Sequence, residues 1–78
     1  MSIEKLVRKG REAELRQELV KLEALVDDEL VALKMRLLPS YDPWELDADA
    51  IERHAAALVE YIRRAKEVKR KLKELEDG

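Results

Sequence analysis

The residues of this chain that could do chemistry are one histidine, His54, and two acidic groups at 27–29 and 47–52. Carboxylates are the ligands that divalent cations such as Mg²⁺ and Ca²⁺ prefer, and a histidine titrates close to neutral pH. A metal site that needs two histidines from one chain is excluded, and the HExxH motif is absent. Acids near a helix start and a histidine at the edge of a bundle have simpler structural roles. We therefore expect no catalytic residue, no metal site and no cofactor.

Basic side chains concentrate in the last third of the sequence and form the second candidate for a functional surface. Acids such as Glu67 and Glu74 interrupt them, and no aromatic residue lies among them to stack on a base. A surface that binds RNA or DNA is therefore an alternative interpretation, and a solvated helix face is the favoured one. The basic residues in question are Arg63, Arg64, Lys66, Lys69, Arg70 and Lys73.

Two aromatic residues, Tyr41 and Trp44, fall in the middle of the chain. Buried aromatic anchors carry much of the binding energy of protein interfaces, so the pair is a candidate anchor for a partner protein. Trp44 also begins a series that recurs every seven residues through Ile51 and Leu58, which favours a role in closing the end of the fold.

The length and composition of the chain limit its possible size of core, its means of stabilisation and its binding partners. The 78 residues allow one domain, 1–78, close to the size at which a single core barely suffices. The chain has no cysteine, so no disulfide can staple it, and association is the remaining means of support. With 16 basic and 18 acidic residues the net charge is −2, which disfavours strong non-specific binding to nucleic acid. The highly charged composition, with one Gln and no Asn, is also typical of heat-adapted proteins.

No segment of the sequence reads as a signal peptide or a membrane span. We therefore expect a cytoplasmic protein with no membrane partner.

The first half of the chain is a strongly periodic helix, predicted over residues 2–38. Apolar residues follow one face at steps of three and four, and Pro39 ends the helix at or just before residue 38. A second apolar row runs along nearly the opposite side and includes small residues, with Gly10 suited to close helix packing. A helix that pairs with one partner needs one stripe, so two stripes predict neighbours on both sides.

The turn and second helix have clear local signals. Asp42 reads as an N-cap, Pro43 occupies the first helical position, and Glu45 completes a capping box. These signals predict a turn at 39–42 and a second helix over 43–76. So short a link makes the two helices antiparallel neighbours.

The expected fold class is all-α: an antiparallel two-helix hairpin that associates into a four-helix bundle, as a homodimer with the first helices in the centre. The expected hairpin seam is Val20, Ala24, Val31, Ile51, Leu58, Ile62, Ala65 and Leu72. The expected oligomer interface is Leu15, Leu19, Leu22, Val26, Leu30, Leu33 and Leu37.

Three functional hypotheses follow. The first is a small non-enzymatic, self-associating interaction or regulatory module. Its partner is itself, in a homodimer or a higher oligomer, and another protein is a further candidate partner. The second is a nucleic-acid-binding hairpin dimer that uses the basic open end. The third is an all-helical enzyme, because residues 15–36 are loosely similar in the rhythm of Leu, Arg and acids to dimeric mutases of the chorismate type. That similarity is confined to one helix and identifies no catalytic residue.

Overall fold

The computed structural model describes residues 3–37 and 42–77 of the chain. The structure contains two long antiparallel helices, α1 (Ile3–Leu37) and α2 (Ala48–Asp77), and the described part of the link between them includes a 3₁₀ turn at Pro43–Glu45. The hairpin measures 64 × 16 × 14 Å. Within the described ranges there is no β-strand. The prediction of an all-α helical hairpin is confirmed.

The core is one narrow layer between the two helices. Leu15 and Leu22, seven residues apart on α1, pack against Ala65, Val68 and Leu72 of α2. Because seven residues make two turns of a helix, these side chains stack along the line where the helices touch. Three half-buried residues extend the layer: Leu19, Tyr61 and Leu75.

The structure corrects the predicted roles of the two apolar stripes of α1. Val20 and Val31, predicted in the hairpin seam, are 66% and 57% exposed, and Ala24 is exposed as well. The leucine stripe faces α2 in their place. Its larger side chains remove more apolar area from water when they are covered. Each Å² of that area contributes about 25 cal/mol, and the difference in area decides which stripe meets α2.

The residues predicted as the oligomer interface are thus largely used within the chain. Leu15 and Leu22 are buried, whereas Leu30 and Leu37 remain exposed at the margin of the contact. The other three are half-buried: Leu19, Val26 and Leu33.

On α2 the predicted seam lies on the correct side but is centred differently. Ala65 and Leu72 are buried as expected, together with Val68 and Ala50, which the seam did not include. The remaining seam positions are half-buried: Ile51, Leu58 and Ile62. The helix is therefore rotated relative to the prediction, so that Val68 points into the contact.

The predicted start of the second helix at residue 43 is wrong: a separate 3₁₀ turn begins there, and the α-helix begins at Ala48. Asp42 does act as a cap, but of the 3₁₀ turn. Its Oδ1 accepts a hydrogen bond from the backbone amide of Trp44 at 3.0 Å. Leu46 is then extended, and α2 begins at Ala48. Asp47 is its N-cap, because Oδ1 accepts the amide of Ala50 at 3.0 Å. The rest of the predicted turn, residues 39–41, lies outside the described residues.

The first turns of α1 are exposed. Arg16 contacts Glu76, in the last turn of α2, at 3.2 Å, so that turn lies beside the part of α1 around Arg16. Residues 3–11 are all exposed. We call this segment the exposed N-terminal stretch.

In the described ranges 3–37 and 42–77, neither helix combines the length and the apolar character that crossing a bilayer requires.

The two aspartate caps make a testable pair. Asp47→Ala should lower the free energy of unfolding by about 0.5–2 kcal/mol, because the first turn of a 30-residue helix loses its acceptor. Asp42→Ala is the matched control and should cost less, since the element that it caps is a single 3₁₀ turn of three residues. Urea unfolding followed by circular dichroism measures both. A larger loss for Asp42→Ala than for Asp47→Ala would contradict the assigned start of α2.

Candidate interaction surface

The most unusual surface of the hairpin is the side of α1 that faces away from α2. At about 100° per residue, seven positions of α1 fall in one sector about 60° wide, roughly 160° around the helix from the leucines of the core. In a chain that is 44% charged, none of the seven carries a charge. We call this sector the outer stripe; its residues are Leu6, Ala13, Gln17, Val20, Ala24, Val31 and Met35.

The outer stripe is exposed along its whole length. Val20 is 66% and Met35 68% exposed, and Leu6 and Val31 are each more than half exposed. From Leu6 to Met35 the stripe is about 43 Å long at 1.5 Å per residue. Single exposed apolar residues are ordinary, but a long uncharged strip, apolar at six of its seven positions and flanked by charges, is typical of a binding surface.

Gly10 lies beside the outer stripe, and a Cβ built on it would meet no atom within 4 Å. The close helix approach predicted at this position therefore does not occur within the hairpin.

The side chain of His54 is held by α1. Its Nδ1 lies 2.7 Å from Oε2 of Glu29, and both side chains are mostly buried at the edge of the core. An ionised carboxylate only accepts hydrogen bonds, so the ring donates through Nδ1. An open cleft beside the pair is lined by Ala32, Met35 and Arg36 together with His54. The histidine thus joins the two helices by a side-chain contact near the turn.

The sequence analysis placed His54 correctly at the edge of the bundle but did not find Glu29 as its partner. The two residues are 25 positions apart. The signal was present in principle, since an antiparallel hairpin with a turn near residue 41 brings position 29 close to position 54.

The acidic groups separate into different roles. Glu29 binds His54 and Asp47 caps α2. Asp27 lines a groove between the helices beside Lys66 and Lys69. In the part of the chain that the structure describes, no three His, Cys, Asp or Glu side chains are grouped as metal ligands.

The predicted basic surface is partly neutralised by neighbouring acids. Arg64 contacts Glu60 at 2.7 Å, and Arg70 is bonded to both Glu67 and Glu74. The hydrogen bond from Arg70 lowers the pKa of the Glu67 carboxyl, and the same contact raises the pKa of Arg70. The remaining basic residues of the predicted set are exposed: Arg63, Lys66, Lys69 and Lys73.

A similar arrangement binds α1 to the end of α2. Arg16 contacts Glu12 one turn earlier at 2.7 Å, as well as Glu76 across the hairpin. The hydrogen bond that Arg16 donates to Glu12, followed by the negative charge of Glu12, raises the pKa of Arg16.

Of the two candidate anchor residues, Trp44 is 91% exposed on the 3₁₀ turn. The sequence favoured a role for Trp44 in closing the end of the fold, as the start of the seven-residue series. At this exposure it does not have that role. Tyr41 lies outside the described residues.

Comparison of the chain with family models, with curated proteins and with solved structures found no match in any of the three.

The contact between His54 and Glu29 is open to a double-mutant cycle. His54→Ala and Glu29→Ala should each destabilise the hairpin, and the double variant should lose less than their sum. A coupling free energy of about 0.5–1.5 kcal/mol is expected for a partly buried hydrogen bond. Urea unfolding at neutral pH measures it, with Glu52→Ala as an exposed acidic control on α2. Strict additivity would show that the contact contributes nothing.

Proposed function

We propose that this chain is a small self-associating hairpin that acts by binding and not by catalysis, and that two copies meet through the outer stripe of α1. The observation that carries the proposal is the outer stripe itself: a strip without charge along α1, which α2 does not cover.

The reason for association is the free energy of hydration. Each Å² of apolar surface removed from water contributes about 25 cal/mol. When two copies associate, the outer stripe of each copy is removed from water. Small residues, Ala13 and Ala24, leave room for two helices to approach closely. An isologous contact of this type needs no second kind of partner, since one surface is complementary to itself.

The proposed assembly is a homodimer with the two α1 helices in its centre and one α2 helix on the outside of each. This arrangement keeps α1 between two neighbours, one on each apolar side. It uses the outer stripe as the contact, in place of the leucine stripe, because Leu15 and Leu22 already pack within the chain. In this assembly the exposed Trp44 at the turn is available as an anchor for a further protein.

The test is a charge placed in the outer stripe. Val20→Glu should raise the dissociation constant of the dimer at least about 10-fold, since burying an unpaired carboxylate costs well over 1.4 kcal/mol. Val20 is exposed in the single hairpin, so the variant should keep its helical circular dichroism. Sedimentation velocity over a range of concentrations measures the association.

The matched control is Val59→Glu. Val59 is also an exposed valine, 46% exposed, but it lies on α2 and outside the outer stripe. The control should sediment as the parent does. A parent chain that sediments as a monomer at high concentration, or a Val20→Glu variant that dimerises as tightly as Val59→Glu, would refute the proposed contact.

A further inference from the structure

We infer that the second copy docks on the outer stripe in the antiparallel sense, centred near the level of Leu22, so that Val20 of each chain packs on Ala24 of the other. This inference rests on the proposed self-association and adds its direction and register. Three properties of the described surface favour this arrangement over a parallel one.

The first property is the alternation of large and small residues. With the centre near residue 22, Val20 meets Ala24 and Val31 meets Ala13 of the second copy. A large side chain then fits into the space left by a small one, as close packing of two helices requires. A parallel pair in register would set valine on valine and alanine on alanine, which crowds some levels and leaves gaps at others.

The second property is the position of Asp27. It lies beside the outer stripe, one heptad after Val20, and a parallel dimer would bring it against its own copy. Like charges at that distance repel. In the antiparallel register Asp27 meets Gln17 of the second copy, whose amide group can donate to a carboxylate. An open groove is present there, lined by Arg16, Gln17, Val20 and Lys21.

The third property is the charge pattern along the two edges of the stripe. One edge carries Arg16 and Glu23, and the other carries Lys21 and Asp28; all four are exposed. When two helices pack antiparallel, each edge meets the same edge of the other helix. Arg16 then faces Glu23, and Lys21 faces Asp28, with an axial offset of about 7.5 Å that long side chains can span.

A parallel dimer brings opposite edges together and reverses the sign of these contacts. Arg16 would face Lys21 of the second copy at the usual spacing of five residues, and Glu23 would face Asp28. Both pairs are repulsive. The edges therefore select the antiparallel dimer and disfavour the parallel one.

Introduced cysteines test the direction, because the chain has none of its own. Ala13→Cys and Val31→Cys are made as separate variants of the full chain, mixed and mildly oxidised. The antiparallel dimer predicts a disulfide between the two different variants and none within either variant alone, because residues 13 and 13 would be about 27 Å apart. Mass spectrometry distinguishes the mixed product, and Val59→Cys on α2 is the control that should not cross-link.

The outcomes separate the two claims. A dimer in sedimentation with disulfides only within Ala13→Cys and within Val31→Cys overturns the antiparallel arrangement and leaves self-association intact. A monomer in sedimentation, with no disulfide in any mixture, overturns both. A dimer that gives no disulfide at any stripe position overturns the outer stripe as the contact, and with it the antiparallel arrangement on that stripe, although the chain still self-associates.

A charge reversal at the edge of the outer stripe tests the antiparallel direction independently. Lys21→Glu should weaken the dimer about 2- to 30-fold at low salt, since two exposed pairs are lost. Adding Asp28→Lys to that variant should restore the affinity, because both pairs are re-formed with exchanged signs. In a parallel dimer Lys21→Glu would remove the repulsion with Arg16 and tighten association, so tighter binding of Lys21→Glu overturns the inference.

Discussion

A single helix-to-helix contact holds this protein together. Leu15 and Leu22 of α1 meet Ala65, Val68 and Leu72 of α2, and within the described residues no third element supports either helix. Isolated helices are marginal in water, so the helices depend on the area that this narrow layer removes from water. Ion pairs at its margins, such as Arg16 with Glu76, are exposed and contribute little on their own. The hairpin therefore has a small buried core relative to its exposed surface.

The sequence was sufficient to predict the two helices and their antiparallel packing, because heptad spacing and the proline before residue 40 are local signals. It was not sufficient to decide which of two apolar stripes faces α2. Periodicity locates stripes but does not rank them, and the ranking depends on the area that each side chain buries against a particular surface. The same limit applies to the start of α2, where Asp42 and Asp47 are both good caps and only Leu46, in extended conformation between them, decides which one begins the long helix.

The candidate surface was partly visible in the sequence. The residues of the outer stripe were recognised as an apolar row, but they were placed inside the hairpin. The pairing of His54 with Glu29 required knowledge of the register, which depends on residues far apart in the chain. What the folded chain adds is an asymmetry: the leucine side of α1 is satisfied by α2, whereas the valine and alanine side is left to solvent. Self-association follows from that asymmetry as a proposal, and its direction follows from the charges beside it.

The exposed N-terminal stretch has a consequence for local stability. Its nine residues bury little side-chain area, so the free-energy cost of opening their helical hydrogen bonds is set largely by local propensity, which Gly10 lowers by about 1 kcal/mol relative to Ala. Arg8, Lys9 and Arg11 lie within it, and a trypsin-like protease cleaves after such residues when the backbone unwinds. Within the two described helices, the segment is therefore a preferred place for such a protease to cut a single hairpin. Any partner that covers it would lengthen its lifetime.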